Sequence, residues 1–254
     1  MTGLSRQVVL LLATVSTLLM NYLSTALPLF GNSNQQISDA LPNAFTPAGL
    51  TFAVWGPIFL GLLIFAGYQA LPGQRGRRYD RLFWPFLLSN LLNSAWLCAF
   101  QSLNFGLSVA VMAALLASLL WLYLTLQGMQ LKGAERFTLG VPGSLYLAWI
   151  TVAAVANVTA WLVSRGLTDG LAGVSGPLWS AAMLLVAAAI GALLLARRRD
   201  LAFGLVLAWA FYGVYLARPQ QGTVVTGVLL AAALLLVGVI LGFFRRARHP
   251  LLSQ

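Results

Sequence analysis

Amide and aromatic side chains recur at helical spacing within otherwise apolar stretches of the sequence. Residues three or four positions apart lie on one face of a helix, and three sets follow that spacing. They are Asn90, Asn93, Trp96 and Phe100; Trp149, Ala153 and Asn157; and Trp55 and Phe59. An amide in hydrocarbon must be hydrogen-bonded, so these faces are expected to point into a helix bundle, toward another helix or a ligand. The chemistry they offer is stacking and hydrogen bonding of a flat apolar molecule.

A purely structural interpretation of these residues is open as well. Asparagine in a membrane helix often makes only an interhelical hydrogen bond, and tryptophan often anchors a helix at the membrane surface. Surface anchoring is expected for Trp84, Trp161 and Trp179. Surface anchoring does not explain the deeper Trp96, Trp149 and Trp209, where a ligand pocket is the stronger interpretation.

Ionisable side chains are missing from the centres of the apolar stretches. Proton relays and ion-coupled transporters usually place such groups inside the membrane, and conventional hydrolysis needs a general acid or base. Cys98 is the only cysteine and His249 the only histidine, so the sequence holds no disulfide framework and no metal-ligand spacing. We therefore expect a protein that is not an enzyme and that has no metal or cofactor of its own.

The composition is that of an integral membrane protein. Of 254 residues, 60% are hydrophobic and only 8% are charged, whereas soluble domains carry roughly a quarter charged residues. The mean hydropathy is +0.86. The net charge of +10 is spread over short gaps between apolar stretches. Because these charges form no basic patch with interleaved aromatic residues, a nucleic-acid partner is excluded.

Windows of about 20 apolar residues, the length that crosses a bilayer core, predict eight transmembrane helices. They cover residues 8–29, 50–71, 82–103, 105–126, 139–163, 178–196, 201–216 and 223–244. The seventh is short and the third and fourth are tightly linked, so six spans is the competing count. Either count predicts an all-α fold, a polytopic membrane helix bundle.

Basic residues alternate between the two sides of the predicted bundle. Only Arg165 and Arg218 fall on one side, and the other side holds the rest: Arg6, Arg75, Arg77, Arg78, Arg81, Lys132, Arg136, Arg197, Arg198, Arg199, Arg245, Arg246 and Arg248. Cytoplasmic loops retain positive charge, so we expect both termini in the cytoplasm of a bacterium, with the chain in its inner membrane. The alternative for the first span is a cleavable signal peptide.

Three segments resemble the TspO/MBR family of tryptophan-rich sensory proteins and translocator proteins. Residues 45–49, Phe-Thr-Pro-Ala-Gly, followed by Trp55-Gly56-Pro57 and Phe59, resemble the start of the family's second helix. Residues 93–96, Asn-Ser-Ala-Trp, resemble its third-helix motif, and Leu145 to Trp149 with Ala153 and Asn157 are similar to its fifth-helix motif. The motifs cover roughly residues 5–165, so the first five helices are TspO-like.

The resemblance implies a five-helix bundle that binds tetrapyrroles such as porphyrins, or other flat apolar ligands. By motif, Trp149, Ala153 and Asn157 would form one pocket wall, Trp55 and Phe59 the opposite wall, and Asn93 and Trp96 the floor, with Phe100 one turn further on. The polar gap from Gly31 to Pro47 would be a lid. Residues 1–165 would then be the ligand-binding unit, and residues 166–254 a three-helix membrane extension.

Three functions are compatible with these features. The first is a membrane sensor or regulator that binds a tetrapyrrole or another small hydrophobic ligand. The second is an uncoupled small-molecule permease, in which Gly56-Pro57 and a broken segment at Gly140 to Gly143 would serve as gating elements. The third, the least supported, is an enzyme acting on a bound pigment through indole redox chemistry. Membrane lipid is an expected partner, and faces of small residues permit a homodimer.

Overall fold

The computed structural model describes residues 3–27, 30–167 and 173–247, and in these ranges all regular structure is helical. The described α-helices are α1 (Gly3–Ala26), α2 (Asn34–Asp39), α3 (Trp55–Gln69), α4 (Arg77–Asp80), α5 (Phe83–Gln101), α6 (Phe105–Gly128), α7 (Val141–Ser164), α8 (Gly176–Arg198), α9 (Leu201–Ala217) and α10 (Gly222–Ala247). A 3₁₀ helix, Gly49–Val54, leads into α3.

Seven helical stretches in the described ranges are long and apolar enough to cross a membrane. The seventh predicted span, 201–216, corresponds to α9, an apolar helix of 17 residues that is not among these seven. At about 1.5 Å per residue, α9 is roughly 26 Å long, slightly less than a typical hydrocarbon core of about 30 Å. The predicted class, a polytopic all-α membrane bundle, is confirmed.

Tight turns separate consecutive long helices. Between α5 and α6, Leu103 adopts a left-handed conformation with φ 59°, and Asn104 caps α6 by accepting a hydrogen bond from the Leu107 amide. Between α8 and α9, Arg199 is left-handed at φ 55°, and Asp200 caps α9 by accepting from the Phe203 amide. Each cap satisfies one free amide at the start of its helix. Only three residues separate α5 from α6, and two separate α8 from α9.

The start of α7 is continuous, in contrast to the predicted break at Gly140 to Gly143. A π-helical turn, Arg136–Gly140, runs directly into α7. Pro142 follows the π-helical turn within this continuous helix, so its missing amide hydrogen removes one backbone hydrogen bond without ending the helix. A Cβ on Gly61 would lie 3.2 Å from Pro142 Cβ, and one on Gly143 would lie 2.9 Å from Leu126. The glycines here permit close helix packing, and the prediction of a broken segment is wrong.

Packing divides the chain into two units, and each is described by itself. The first comprises residues 1–41 and 53–164, and the second comprises residues 42–52 and 165–254. In the first unit, α1 packs on α5, α5 on α6, α6 on α7, α7 on α3, and α3 on α1. These five long helices therefore form a closed ring. The division into a ligand-binding unit, 1–165, and a three-helix extension, 166–254, stays a prediction.

Polar contacts tie one end of the first unit together. Arg6, 1% exposed, pairs with Asp80 at 2.5 Å and donates a hydrogen bond to the Gln74 carbonyl. Gln7 donates to the carbonyls of Gln69 and Leu71, at 3.0 and 2.8 Å. The first helix thus begins before the predicted residue 8, because its arginine is buried in contacts rather than left in a loop.

A second polar cluster surrounds Glu135 at the same end. The Tyr79 hydroxyl donates to Glu135 Oε1 at 2.5 Å, and Arg78 Nη2 lies 2.9 Å from Oε2. Burial, the largest influence, acts to raise the pKa of Glu135, but the hydrogen bonds from Tyr79 and the Lys132 amide and the charge of Arg78 outweigh it. The pKa of Glu135 therefore lies below its ordinary value.

In the second unit, α8 and α10 make the closest helix pair. A Cβ on Gly227 would lie 2.7 Å from Ala181 Cβ, and one on Gly238 would lie 2.6 Å from Ala192 Cα. Small residues let membrane helices approach closely and gain dispersion contacts. The small residues of α8 and α10 are therefore used for packing within the chain.

Residues 42–52 are held by α9. The Ala48 amide donates to the Gly213 carbonyl at 3.0 Å, the Trp209 indole donates to the Thr51 carbonyl at 2.9 Å, and Arg218 donates to the Asn43 carbonyl at 2.6 Å. The proposed lid from Gly31 to Pro47 is accordingly not one element, since its first part forms α2 in the first unit and its last part binds α9.

Candidate functional site

An aromatic cluster forms where α3 meets α7. The ring of Trp55 stacks on Phe59, with centroids 5.1 Å apart. It also meets Trp149 edge-on at 6.2 Å and Tyr146 edge-on at 6.1 Å. Trp149 and Tyr146 are 2% and 1% exposed, whereas Trp55 and Phe59 are half-buried. The structure thus brings the two walls named by the resemblance into contact, and the α3 wall is the more accessible one.

Asn93 supplies polar groups beside this cluster. It is fully buried, and its Oδ1 accepts a hydrogen bond from Asn21 of α1 at 2.7 Å. The Tyr146 hydroxyl and the Asn93 side chain interact with each other. Beyond that contact, neither Asn93 Nδ2 nor the Tyr146 oxygen has a hydrogen-bond partner in the described residues. Each group therefore keeps hydrogen-bonding capacity beside the aromatic cluster.

Trp96, Phe100 and Asn157 form a separate cluster that satisfies its own polar groups. The Trp96 indole donates to Asn157 Oδ1 at 3.0 Å, and Asn157 Nδ2 donates to the Ser108 hydroxyl at 3.1 Å. Trp96 stacks on Phe100 at 5.3 Å, and Phe100 meets Phe105 edge-on at 5.6 Å. These contacts join α5, α6 and α7, and they are those of an interhelical joint.

Ala153 lies one helical turn after Trp149 and one before Asn157, on the same face of α7. It is half-buried. The face of α7 that carries Trp149, Ala153 and Asn157 therefore has two roles. Trp149 belongs to the aromatic cluster, and Asn157 joins α7 to α5 and α6.

Three residues of this region were not singled out as site residues in the sequence. Tyr146 precedes Trp149 by three positions and lies within the fifth-helix motif, so helical spacing could have identified it. Asn21 shares one face of α1 with Gln7, and Ser108 shares one face of α6 with Phe105, but neither pair was singled out in the sequence. Their partners became visible only when α1, α5, α6 and α7 were placed together.

The remaining tryptophans differ in exposure. Trp84 and Trp161 are 58% and 36% exposed, in line with the expected surface anchoring, and Trp179 is half-buried. Trp209, expected to lie deep, is half-buried and bonded to Thr51 in the second unit. It belongs to a different unit from the aromatic cluster.

In the described ranges, no group of three or more His, Cys, Asp or Glu side chains could hold a metal ion. Cys98 is free and half-buried. The groups gathered at the aromatic cluster are rings, an amide and a hydroxyl. Such a set binds by stacking and hydrogen bonding.

Comparison with known proteins places these features in a family. No match was found among curated proteins, and none among solved structures. A family model described as TSPO-like protein matches residues 7–242. The match continues through α8, α9 and most of α10, beyond the roughly 5–165 that the motifs covered. The resemblance to the TspO/MBR family is thereby confirmed, and this chain belongs to the family of TSPO-like proteins.

Proposed function

We propose that this protein is a membrane-embedded sensor or regulator that binds a flat apolar ligand, such as a tetrapyrrole, at the cluster of Trp55, Phe59, Tyr146 and Trp149. The observation that carries the proposal is the meeting of these rings beside two buried polar groups, Asn93 Nδ2 and the Tyr146 hydroxyl, which contact each other and have no further partner in the described residues. The rings offer faces and edges for stacking. The two polar groups can each donate a hydrogen bond to one acceptor on the ligand.

Half-burial of Trp55 and Phe59 supports this location. A ligand that covers them gains apolar burial, worth roughly 25 cal/mol per Å². The Trp96–Asn157–Ser108 joint is a weaker candidate, because its donors and acceptors already bond one another. We therefore assign Trp96, Phe100 and Asn157 to positioning α5 and α7, with ligand contact on the side of Trp55 and Trp149.

In this proposal the protein binds its ligand without converting it. It lies in the inner membrane of a bacterium, and the end of the first unit that contains Arg6 faces the cytoplasm. Arg6 in α1 and Arg78 in α4 lie at one end of the first unit, and positive charge is retained on the cytoplasmic side. A fusion reporter on each terminus tests this orientation: a cytoplasmic reporter active at both ends is expected, and a periplasmic reporter active at either end would contradict it.

A titration of the purified full chain with protoporphyrin tests the binding site. The absorbance of the porphyrin is the readout, so that removing a tryptophan does not alter the signal. Trp55→Phe is expected to weaken binding roughly threefold to tenfold, since one aromatic contact is worth about 0.5–1.5 kcal/mol. Trp179→Phe, in the second unit, is the matched control and should leave the affinity unchanged.

Tyr146→Phe separates a ligand contact from a structural role. Because the only partner of its hydroxyl in the described residues is Asn93, deleting that oxygen should lower the thermal stability of the ligand-free protein only slightly, yet it should clearly weaken porphyrin binding. Unchanged affinity in both Trp55→Phe and Tyr146→Phe would refute the site. Flux of porphyrin into proteoliposomes would favour the permease, and light-dependent pigment breakdown would favour the enzyme.

A further inference from the structure

A surface groove of about 540 Å³ lies between the start of α5 and the end of α6. Its lining includes Arg81, Trp84, Trp121, Leu124 and Thr125. The volume is in the range of small-molecule sites. The groove belongs wholly to the first unit and shares no residue with the aromatic cluster of Trp55 and Trp149.

The groove changes from charged to apolar along the helix direction. Asp80 and Arg81 lie just before α5, and Trp84 is the second residue of that helix. Trp121 lies seven residues before Gly128, the last residue of α6, which corresponds to about 10 Å along the axis. Trp84, Trp121 and Leu124 are 58%, 47% and 56% exposed. Exposed indoles at such a depth are typical of the boundary between headgroups and acyl chains.

The charged end of the groove is cationic. The Asp80 carboxylate is compensated by Arg6, 2.5 Å away. Arg81 is exposed and makes no ion pair or hydrogen bond with the part of the chain that the structure describes. Its guanidinium presents several donors to oxygen anions, in a geometry suited to phosphate. One positive charge is therefore unmatched where the headgroup region begins.

We infer that this groove binds one anionic phospholipid from the surrounding leaflet. Its phosphate pairs with Arg81 and accepts from the Trp84 indole, and the start of an acyl chain lies along Trp121 and Leu124. A zwitterionic lipid carries a positive charge in its own headgroup, so it gains less from pairing with Arg81. This site is independent of the proposed porphyrin site, since the two sites share no residue.

Native mass spectrometry of the full chain, released from mixed phosphatidylglycerol and phosphatidylcholine bilayers, tests the inference. The measured quantity is the ratio of phosphatidylglycerol to phosphatidylcholine that stays bound. Arg81→Gln is expected to lower this ratio about fivefold, the effect of one basic residue at an anionic surface. Arg81→Lys should keep most of the preference. Arg77, the first residue of α4, is an exposed arginine that does not line the groove. Arg77→Gln should therefore leave the ratio unchanged.

Trp121→Leu should reduce retention of both lipids, because the indole contacts the acyl chain in either case. Glycerol phosphate added at millimolar concentration should displace neither lipid, since it lacks that chain. An equal fall in the ratio for Arg77→Gln and Arg81→Gln would overturn the inference, because it would indicate unspecific attraction. A change from dimer to monomer in Trp121→Leu with unchanged lipid retention would also overturn it, because the groove would then bind a second copy of the chain.

Discussion

Asn157→Leu is the perturbation that most sharply separates a structural amide from a ligand-binding one. Asn157 is 3% exposed, and its Oδ1 accepts from the Trp96 indole at 3.0 Å. Its Nδ2 donates to the Ser108 hydroxyl at 3.1 Å. Leucine has a similar volume and fits the apolar surroundings, so the main loss is the set of hydrogen bonds that joins α7 to α5 and α6.

The expected magnitude follows from two contributions. Each interhelical hydrogen bond in a membrane protein is worth about 0.6 kcal/mol on average and up to about 1.7 kcal/mol. Leaving the buried Trp96 indole without an acceptor costs roughly 1–3 kcal/mol. We expect Asn157→Leu to lower the free energy of unfolding by about 1–3 kcal/mol. Ser108→Ala, which keeps the Trp96–Asn157 bond, should cost less, about 0.5 kcal/mol.

Reversible unfolding in mixed detergent micelles, followed by circular dichroism, measures these differences. A double-mutant cycle between Trp96→Phe and Asn157→Leu should give a coupling energy of about 0.5–1.5 kcal/mol. Porphyrin affinity of the folded Asn157→Leu protein should stay within about twofold of the unsubstituted protein, an energy difference below about 0.5 kcal/mol. Unchanged stability together with a lost affinity would refute the assignment of Asn157 to the joint and place the ligand there instead.

Three further substitutions test other parts of the fold. A Cβ on Gly213 would overlap the side chain of Thr51, so Gly213→Ala should detach residues 42–52 and speed hydrogen exchange of the Ala48 amide; unchanged exchange would contradict the packing. Arg6→Met should cost about 1–2 kcal/mol of stability, less than the roughly 3–5 kcal/mol of a fully buried pair, because the Asp80 side chain is 40% exposed; no loss in detergent unfolding would count against the ion pair. Because the pKa of Glu135 is lowered from 4.5, its ionised form should stabilise the fold above about pH 4.5, and this stabilisation should be lost as the pH falls through the folded-state pKa. Glu135→Gln should therefore flatten the acid side of the plot of stability against pH. An unaltered plot would exclude this carboxylate as the origin of the acid dependence.

The long helices were predictable because each is an apolar stretch of nearly bilayer length. The predicted spans 105–126 and 201–216 lie within two residues of α6 and α9. An error of five residues is found at α1, where residue 8 was expected and the helix begins at Gly3. A hydropathy window treats Arg6 as a loop residue, whereas Asp80 and the Gln74 carbonyl compensate its charge inside the fold.

Partners between helices could not be predicted in the same way. The sequence placed Trp96 and Asn157 each on a polar face, but it did not indicate that they bond each other across 61 positions. It also placed Thr51 at the start of the second predicted span, 50–71, among the first five helices. Thr51 instead bonds Trp209, 158 positions away. Helical periodicity identifies the buried face of one helix, and which face it meets depends on rotation and packing that periodicity does not contain.

Ligand protection of a cysteine at position 153 tests the location of the binding site most directly. In a Cys98→Ser background, Ala153→Cys places a thiol between Trp149 and Asn157, on the face that contacts the aromatic cluster. Val155→Cys is the matched control, since position 155 is also half-buried and is rotated by about 200° on the same helix. Saturating protoporphyrin should slow maleimide alkylation at position 153 and leave the rate at position 155 unchanged. Equal rates with and without the porphyrin at position 153, under conditions where binding is detected, would contradict a ligand site at this cluster.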